Sequence, residues 1–228
     1  MGESRKVPEP QLRYSKQFFY STYSGGDIEM SPTEILMQEH RLIEQVLDCL
    51  EALTQRAEAT GTLDVASATQ ALEFFSVFAD RCHHAKEEDC LFPLLEEKGF
   101  SREQGPTGVM LDEHEEGRRH VSGMAAAAKA VAAGNRESLN VFVSHSKAYI
   151  ELLRLHIQKE DHCLFQMAEK VLRETDRENL LKQFLQVEQH DLESGIHEKY
   201  VDSAAKLASR WGISTATVSS PLVTCCGH

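Results

Sequence analysis

The residues best suited to chemistry in this chain lie in two similar ten-residue segments, HHAKEEDCLF and HIQKEDHCLF. When the two segments are aligned on their Leu-Phe ends, His83 lies over His156 and Glu87 lies over Glu160. Each copy therefore holds a histidine followed four positions later by a glutamate. On a helix, side chains at positions i and i+4 lie on one face, one turn apart. Each copy predicts an imidazole and a carboxylate that can bind the same metal ion.

Two further histidines lie in stretches with a helical pattern of apolar residues. His40 lies in LMQEHRLIEQVL and His114 lies in VMLDEHEEGRRHV. Four helices that face one another would then supply six candidate metal ligands: His40, His83, Glu87, His114, His156 and Glu160. Imidazole and carboxylate ligands without thiolate suit iron, manganese or zinc, whereas an all-oxygen site would indicate calcium or magnesium. The set predicts a site for two metal ions, with coordination positions left for solvent or a small ligand.

A second pair in the first segment has the same spacing. His84 and Glu88 are rotated by about 100° from His83 and Glu87 on an α-helix. We therefore interpret His84 as a surface residue or as one that contacts a ligand from behind. Glu88 and Asp161 are interpreted in the same way, as solvated acids or as partners of the ligands.

Other residues of suitable type leave two interpretations open. Tyr149 shares a helix face with the second His-Glu pair, so it is either a core residue or a hydrogen-bond donor to a bound molecule. The last predicted helix carries three polar residues at helical contact spacing: His190, Glu193 and His197. They form either an accessory metal site or an exposed polar face. The terminal Cys225-Cys226 pair is either reactive or part of a free tail.

The helix signals along the chain predict an all-α fold. Ser31-Pro32-Thr33-Glu34 is a capping box with proline at the first helical position, and Gly61 ends the helix that it begins. The apolar spacing predicts four further helices, over about 65–97, 109–132, 137–172 and 175–211. Because no stretch alternates as a strand would, the simplest arrangement is an up-down four-helix bundle with an additional C-terminal helix.

This pattern divides the chain into four parts: an irregular N-terminal arm over 1–30, the bundle over 31–172, the C-terminal helix over 173–211 and a flexible tail over 212–228. The arm contains five aromatic residues: Tyr14, Phe18, Phe19, Tyr20 and Tyr23. Free aromatic rings are poorly solvated, so we expect them to dock on the domain, on a second subunit or on a protein partner.

Composition limits the classes of partner. The net charge of −12 argues against nucleic acid or an anionic membrane, because no dense Lys/Arg stripe is present to neutralise phosphates. No apolar run approaches the roughly 18 to 20 residues that cross a bilayer, and the start MGESRKVPEP lacks the apolar core of a signal peptide. Four of the six cysteines lie in helical stretches, where buried thiols are common: Cys49, Cys82, Cys90 and Cys163. We expect a cytoplasmic protein.

The order H…HxxxE…H…HxxxE, with EE-x-x-LFP after the first pair and DEHEEG around the third-helix histidine, resembles the hemerythrin-like (HHE cation-binding) family. The resemblance covers about residues 31 to 172. It implies a four-helix bundle with a non-haem di-iron centre that an oxo or hydroxo group can bridge, manganese and zinc being the alternatives. The six candidate ligands fall on the ligand positions of the family.

One departure from the oxygen-carrying members of the family lies in the third helix. Those proteins have a further histidine one turn after the third-helix ligand, where this chain has Arg118. They also use an aspartate five positions after the last ligand histidine. This chain offers both Glu160 and Asp161, of which the internal repeat favours Glu160.

With these departures, the chain resembles the family's branches that repair iron–sulfur clusters, react with nitric oxide or sense iron more than it resembles the oxygen carriers. We therefore expect a di-iron protein that binds or reacts with dioxygen, nitric oxide or peroxide. The alternative is an iron- or redox-responsive binding module that acts through a protein partner without catalysis.

Overall fold

A computed structural model describes residues 30–103, 105–190 and 196–214, and every regular element in these ranges is a helix. The all-α fold class is therefore confirmed for the described part of the chain. Most of the predicted arm and tail lies outside these ranges, as do Glu193 and Cys225-Cys226 and the side chains of His190 and His197. Within the ranges, no helix is both long enough and apolar enough to cross a bilayer.

Eight α-helices and three π-helical segments follow one another along the described residues. The α-helices are α1 Pro32–Thr60, α2 Val65–Phe74, α3 Phe92–Glu97, α4 Pro106–Ala132, α5 Ser138–Lys159, α6 Phe165–Val171, α7 Glu174–His190 and α8 Ile196–Trp211. The π-helical segments are π1 Phe75–His84, π2 Glu87–Leu91 and π3 Glu160–Leu164. The first two connect α2 to α3, and the third connects α5 to α6.

The first helix begins and ends where its sequence predicts. The Ser31 hydroxyl accepts a hydrogen bond from the Glu34 N–H at 3.3 Å, and the Glu34 carboxylate accepts one from the Ser31 N–H at 2.8 Å. Pro32 occupies the first turn, where its missing N–H costs no hydrogen bond. At the other end, Gly61 adopts a φ of 67° and its N–H donates to the carbonyl of Ala57. These caps fix the register that places His40 on the inner face.

The second and fourth predicted helices are not uniform α-helices. Each runs through a π-helical segment at its copy of the repeated motif, π1 and π2 in the first copy and π3 in the second. A π turn closes i→i+5 hydrogen bonds and is wider than an α turn, and such turns are frequent at functional sites. The angular positions of residues in these segments therefore differ from those of an α-helix.

The residues predicted as one C-terminal helix form α7 and α8, with 191–195 between them outside the described ranges. Thr175 and Glu178 have the spacing of a capping box, which predicts that this helix begins at Asp176. The structure shows this prediction to be wrong, because α7 begins at Glu174. The carboxylate of Asp176 instead accepts a hydrogen bond from the N–H of Arg173 at 3.0 Å. A side chain in the first turn thus closes the end of the helix, two residues earlier than the sequence suggests.

Two apolar clusters form the core. The larger one joins α1, α2, π1, α4, α5 and α8, and includes the fully buried rings of Phe74, Phe75 and Phe78. The smaller one joins α1, π2, α3, α4, α6 and α7, and includes Phe165 and Phe184. Burying a large apolar side chain contributes about 1.5 to 3 kcal/mol. Phe184 of α7 and Leu207 of α8 are buried in these clusters, so both C-terminal helices add to the stability of the core.

Candidate metal centre

The structure brings all six candidate ligands together in the interior. Each is at most 1% exposed: His40, His83, Glu87, His114, His156 and Glu160. Oε2 of Glu160 lies 3.2 Å from Nε2 of His40 and 3.2 Å from Nε2 of His156. The Glu160 carboxylate therefore lies between two imidazoles.

Glu87 occupies the equivalent position on the other side of the site. Its Oε1 lies 3.6 Å from Nε2 of His83, and its Oε2 lies 3.5 Å from Nε2 of His114. The Nε2 atoms of His114 and His156 are 3.0 Å apart. Each of the two carboxylates faces histidines from different helices, so it could hold a metal ion together with them.

His84 belongs to the same interior and not to the surface. It is 5% exposed, and its ring stacks on the ring of His114 with centroids 3.8 Å apart. The surface interpretation is wrong because it assumed α-helical geometry, whereas His84 ends the wider π1 segment. The sequence contains one indication of this role for His84. The chain has an extra histidine next to His83, and it lacks the histidine that oxygen-carrying members have at the position of Arg118.

With His84 included, the ligand atoms form two overlapping groups, within each of which all atoms lie within 4.8 Å of one another. The first group is His40, His83, Glu87 and Glu160, and the second is His84, Glu87, His114 and His156. Glu87 is common to both groups, and Glu160 lies close to a histidine of each. The site offers five imidazoles and two carboxylates, and either group of four could hold a metal ion.

In all five imidazoles, the Nδ1 nitrogen points away from the other candidate ligands and faces a carboxylate. The Nδ1 atoms pair as follows: His40 with Asp161 at 2.7 Å, His83 with Glu39 at 2.9 Å, His84 with Asp80 at 3.4 Å, His114 with Glu88 at 2.6 Å and His156 with Glu113 at 3.0 Å. A carboxylate behind a histidine holds the proton on Nδ1 and leaves the Nε2 lone pair for a metal. Glu88 and Asp161 thus act behind the ligands, one of the two roles that the sequence left open for them.

Basic side chains form ion pairs with the carboxylates that face the Nδ1 atoms. Arg41 pairs with Asp161, Lys86 with Glu39, Lys159 with Glu113, and Arg118 with both Asp80 and Glu88. Arg118 donates to Asp80 at 2.8 Å and to Glu88 at 2.6 Å. The arginine at the position of the missing histidine therefore positions the partners of two other histidines, His84 and His114.

Several inner atoms have no hydrogen-bond partner among the described residues: Nε2 of His40 and both carboxylate oxygens of Glu87 and Glu160. Burying a carboxylate without a partner is costly, and native proteins rarely leave such groups unsatisfied. Divalent cations would satisfy all five atoms at once. The donor set, nitrogen and carboxylate oxygen without sulfur, fits iron, manganese or zinc.

Without metal, the pKa values of the two carboxylates, Glu87 and Glu160, are shifted in opposite directions. Burial and the charge of Glu160 raise the pKa of Glu87 well above its ordinary value. Burial also opposes ionisation of Glu160, but His156 and His40 outweigh it and hold the pKa of Glu160 well below its ordinary value. The metal-free site therefore keeps one carboxylate protonated and one ionised.

The pKa values of the imidazoles are also shifted in different directions. Burial lowers the pKa of His83 to about 4 and also lowers the pKa values of His84 and His114, so these rings are neutral and ready to bind metal. Burial also acts against protonation of His156, but the charge of Glu160 and the hydrogen bond to Glu113 raise its pKa to about 9. A metal must displace the His156 proton at neutral pH.

The remaining candidates take structural positions. Tyr149 is buried and packs edge to face on Phe75, with ring centroids 5.0 Å apart. Burial raises the thiol pKa of Cys82 to about 12 and that of Cys90 to about 11, so neither is poised as a thiolate nucleophile. Cys163 is exposed, unlike the buried thiol that the sequence suggests.

Comparison with known proteins agrees with the geometry. The sequence model of the family described as "Hemerythrin HHE cation binding domain" matches residues 31–168, and this match confirms the resemblance inferred from the motifs. Similar proteins include uncharacterized proteins of Mycobacterium bovis and Mycobacterium tuberculosis, each 22% identical over 187 residues that cover 82% of this chain and 72% of the relative. No solved structure matches the chain.

Proposed function

This chain belongs to the hemerythrin HHE cation-binding family, and we propose that it is a di-iron protein that binds or reacts with dioxygen, nitric oxide or peroxide. The observation that carries the proposal is the set of five buried imidazoles and two buried carboxylates whose donor atoms converge in two overlapping groups. Iron is favoured over zinc and manganese because the family resemblance implies it and the donor set suits it.

For the architecture we propose an up-down four-helix bundle. Its four members are α1, the run from α2 to α3, α4, and the run from α5 to α6. Direct contacts of α4 with α5, of α1 with α5 and of α2 with α4 support this arrangement. The three buried free thiols of the described residues, Cys49, Cys82 and Cys90, suit the reducing cytoplasm that the sequence predicts.

An iron pair would supply reversible binding of a small molecule and exchange of electrons with it. The residues of this chain set the conditions for that chemistry. The carboxylates behind the histidines fix each ring, and the apolar clusters on either side of the site limit access of water. Arg118 forms ion pairs with Asp80 and Glu88, so the carboxylates that face His84 and His114 are both held by a cationic partner.

The test begins with metal analysis of protein purified without oxygen, followed by optical spectra on addition of dioxygen, nitric oxide and peroxide separately. We expect about two irons per chain and a spectral change with at least one of the three. His83→Ala and His156→Ala should each lose most of the iron, while exchange of the exposed His162 for alanine should not. Retention of both irons in both variants would refute the assignment.

A second candidate function is favoured by a hydrogen-bonded path from the centre to α7. Lys86 is fully buried, and its Nζ donates to Glu39 of α1 and, at 2.6 Å, to Glu188 of α7. The other oxygen of Glu39 accepts from Nδ1 of His83 at 2.9 Å. Glu188 lies outside residues 31–168, so a helix beyond the family match contacts the environment of a metal ligand.

This path couples α7 to the metal centre. Separating Glu188 from Lys86 would leave a buried charge with a poorer set of partners, which is costly. The orientation of His83 and the docking of α7 are therefore linked, and by reciprocity metal binding stabilises docking as much as docking favours metal binding. The corresponding function is an iron- or redox-responsive module that acts on a protein partner through its C-terminal helices, without turnover.

Hydrogen exchange of α7 in metal-loaded and metal-free protein distinguishes this candidate. We expect the metal to slow exchange in α7, and we expect Glu188→Gln to reduce that effect and to weaken metal binding. Glu178→Gln, an exposed position on the same helix, is the matched control. Equal exchange in α7 with and without metal would contradict the coupling and leave the first candidate alone.

A further inference from the structure

A cavity of about 180 Å³ lies beside the second group of ligands, between π1, α4 and α5. The rings of His84, His114 and His156 form part of its lining, whereas His40 and His83 do not contribute to it. The cavity therefore meets only one of the two groups. Nothing in the family match or in the similar proteins assigns a ligand to it.

The cavity is large for a diatomic molecule. An apolar protein cavity of about 150 Å³ holds a benzene molecule, and a water molecule occupies only about 30 Å³ of the liquid. At about 180 Å³, this space exceeds the volume that binds benzene and is several times the volume of a molecule with two heavy atoms. Its size is that of a small organic compound.

The lining indicates the polarity of the occupant. Most of its surface is apolar, and its walls include Phe75, Val121, Tyr149 and Leu153. The charged side chains in the lining are already paired, Asp80 with Arg118 and Glu113 with Lys159. An ionic ligand would lose its hydration without gaining a free counter-charge, whereas an uncharged apolar molecule would displace water favourably.

A glycine helps to keep the cavity open. Gly117 lies in α4 among the lining residues, and a Cβ built there would approach only Tyr149, at an ordinary contact distance of 3.5 Å. An alanine therefore fits at this position, while a longer side chain would extend into the cavity. A small residue at position 117 therefore leaves the space beside the ligands open.

We propose that this cavity binds a small uncharged aromatic or branched aliphatic molecule of about six heavy atoms or more, with one oxygen-containing end directed at His84, His114 and His156. The proposal rests on the proposed function only for the direction of the polar end. It adds a second class of molecule that can reach the centre, a small organic compound alongside the small molecule of the proposed function.

Benzene and phenol are the probes, and the full chain is used in two forms. In metal-free protein, benzene binding followed by NMR tests the cavity alone. In cobalt(II)-loaded protein, visible absorption tests whether phenol perturbs the metal while benzene does not. We expect saturable benzene binding in both forms and a change of the cobalt spectrum with phenol only.

Variants locate the binding. Gly117→Ala should retain benzene binding, whereas Gly117→Leu and Val121→Phe should weaken it at least about 10-fold by filling the space. Val109→Phe, on an exposed position of the same helix, is the matched control. Val121 is only half-buried, so Val121→Phe remains informative if Gly117→Leu does not fold.

The outcomes separate this proposal from the proposed function. A missing cobalt spectrum would argue against the metal centre, while benzene binding would still report on the cavity. Absence of benzene binding, or equal binding in Gly117→Leu and Val121→Phe, would overturn the cavity proposal and leave the metal assignment intact. A cobalt spectrum unchanged by phenol would overturn the assigned direction of the polar end.

Discussion

Replacing His84 with alanine tests whether this residue is the fifth imidazole of the centre. The ring is buried and stacks on His114 at 3.8 Å between centroids. If His84 is a ligand, His84→Ala should weaken the metal position that it shares with His114 and His156. The position formed around His40 and His83 keeps its complete set of ligands and should be affected much less.

The size of the effect follows from the number of ligands. Structural zinc sites with four protein ligands have apparent binding free energies of about 10 to 16 kcal/mol, which corresponds to roughly 2.5 to 4 kcal/mol for each ligand. The second group contains four side chains, so losing one should weaken binding there by roughly 70- to 700-fold. Because burial keeps His84 neutral by lowering its pKa, the change removes a ligand without removing a charge.

The assay is a competition titration of metal-free protein with zinc and a chelator. The unchanged protein should bind two ions, and His84→Ala should bind one with nearly unchanged affinity and the second more weakly by the factor above. His162→Ala is the control, since His162 is exposed and lies two positions after Glu160. Two ions bound with unchanged affinity in His84→Ala would show that the six residues predicted from the sequence are sufficient and that the reasoning from burial is wrong.

Three further predictions follow from the layers around the ligands. Arg118→Met should weaken metal binding by about 10- to 100-fold in the same titration, because it releases two carboxylates that orient histidines; the exposed Arg119→Met should not. Lys86→Met should lower the free energy of unfolding of the metal-free protein by about 3 to 5 kcal/mol in urea, because it breaks the buried ion pair with Glu39; an unchanged midpoint would contradict the buried pairing. Metal affinity should rise with pH up to about 9, because the charge of Glu160 and the hydrogen bond to Glu113 outweigh burial and keep His156 protonated below that pH; a pH-independent affinity between about pH 6 and 9 would argue against it.

Much of this architecture can be predicted from local sequence patterns. The capping box at Ser31 and the glycine at 61 mark the ends of α1 because caps depend on residues three or four positions apart. The repeat identifies His83 and His156 for a similar reason, since the i and i+4 spacing is itself local. The structure therefore reproduces most predictions that rest on one turn of helix, the start of α7 being an exception.

The π-helical segments limit what the same reasoning can find. The position of His84 was inferred from the 100° step of an α-helix, and that step does not apply in π1. No local residue pattern in the repeated segments distinguishes an α turn from a π turn. Only the count of histidines in the motif, one more than the six-residue set uses, points to His84.

The ion pairs between distant parts of the chain could not be predicted, in contrast to the meeting of the six candidate ligands. Lys86 meets Glu188 across 102 residues of sequence, and Arg118 meets Asp80 across 38. Such pairs depend on how whole helices pack, and a single sequence contains no spacing rule for them. The sequence showed Arg118 only as a lost histidine, whereas the structure shows it holding the partners of two others.

The number of iron ions bound per chain tests the central claim most directly. Metal-free protein would be titrated with ferrous iron without oxygen, and the bound iron would be counted after removal of the excess. Five imidazoles and two carboxylates in two overlapping groups predict two irons per chain. Saturation at one iron, or no retained iron, would contradict a two-metal centre.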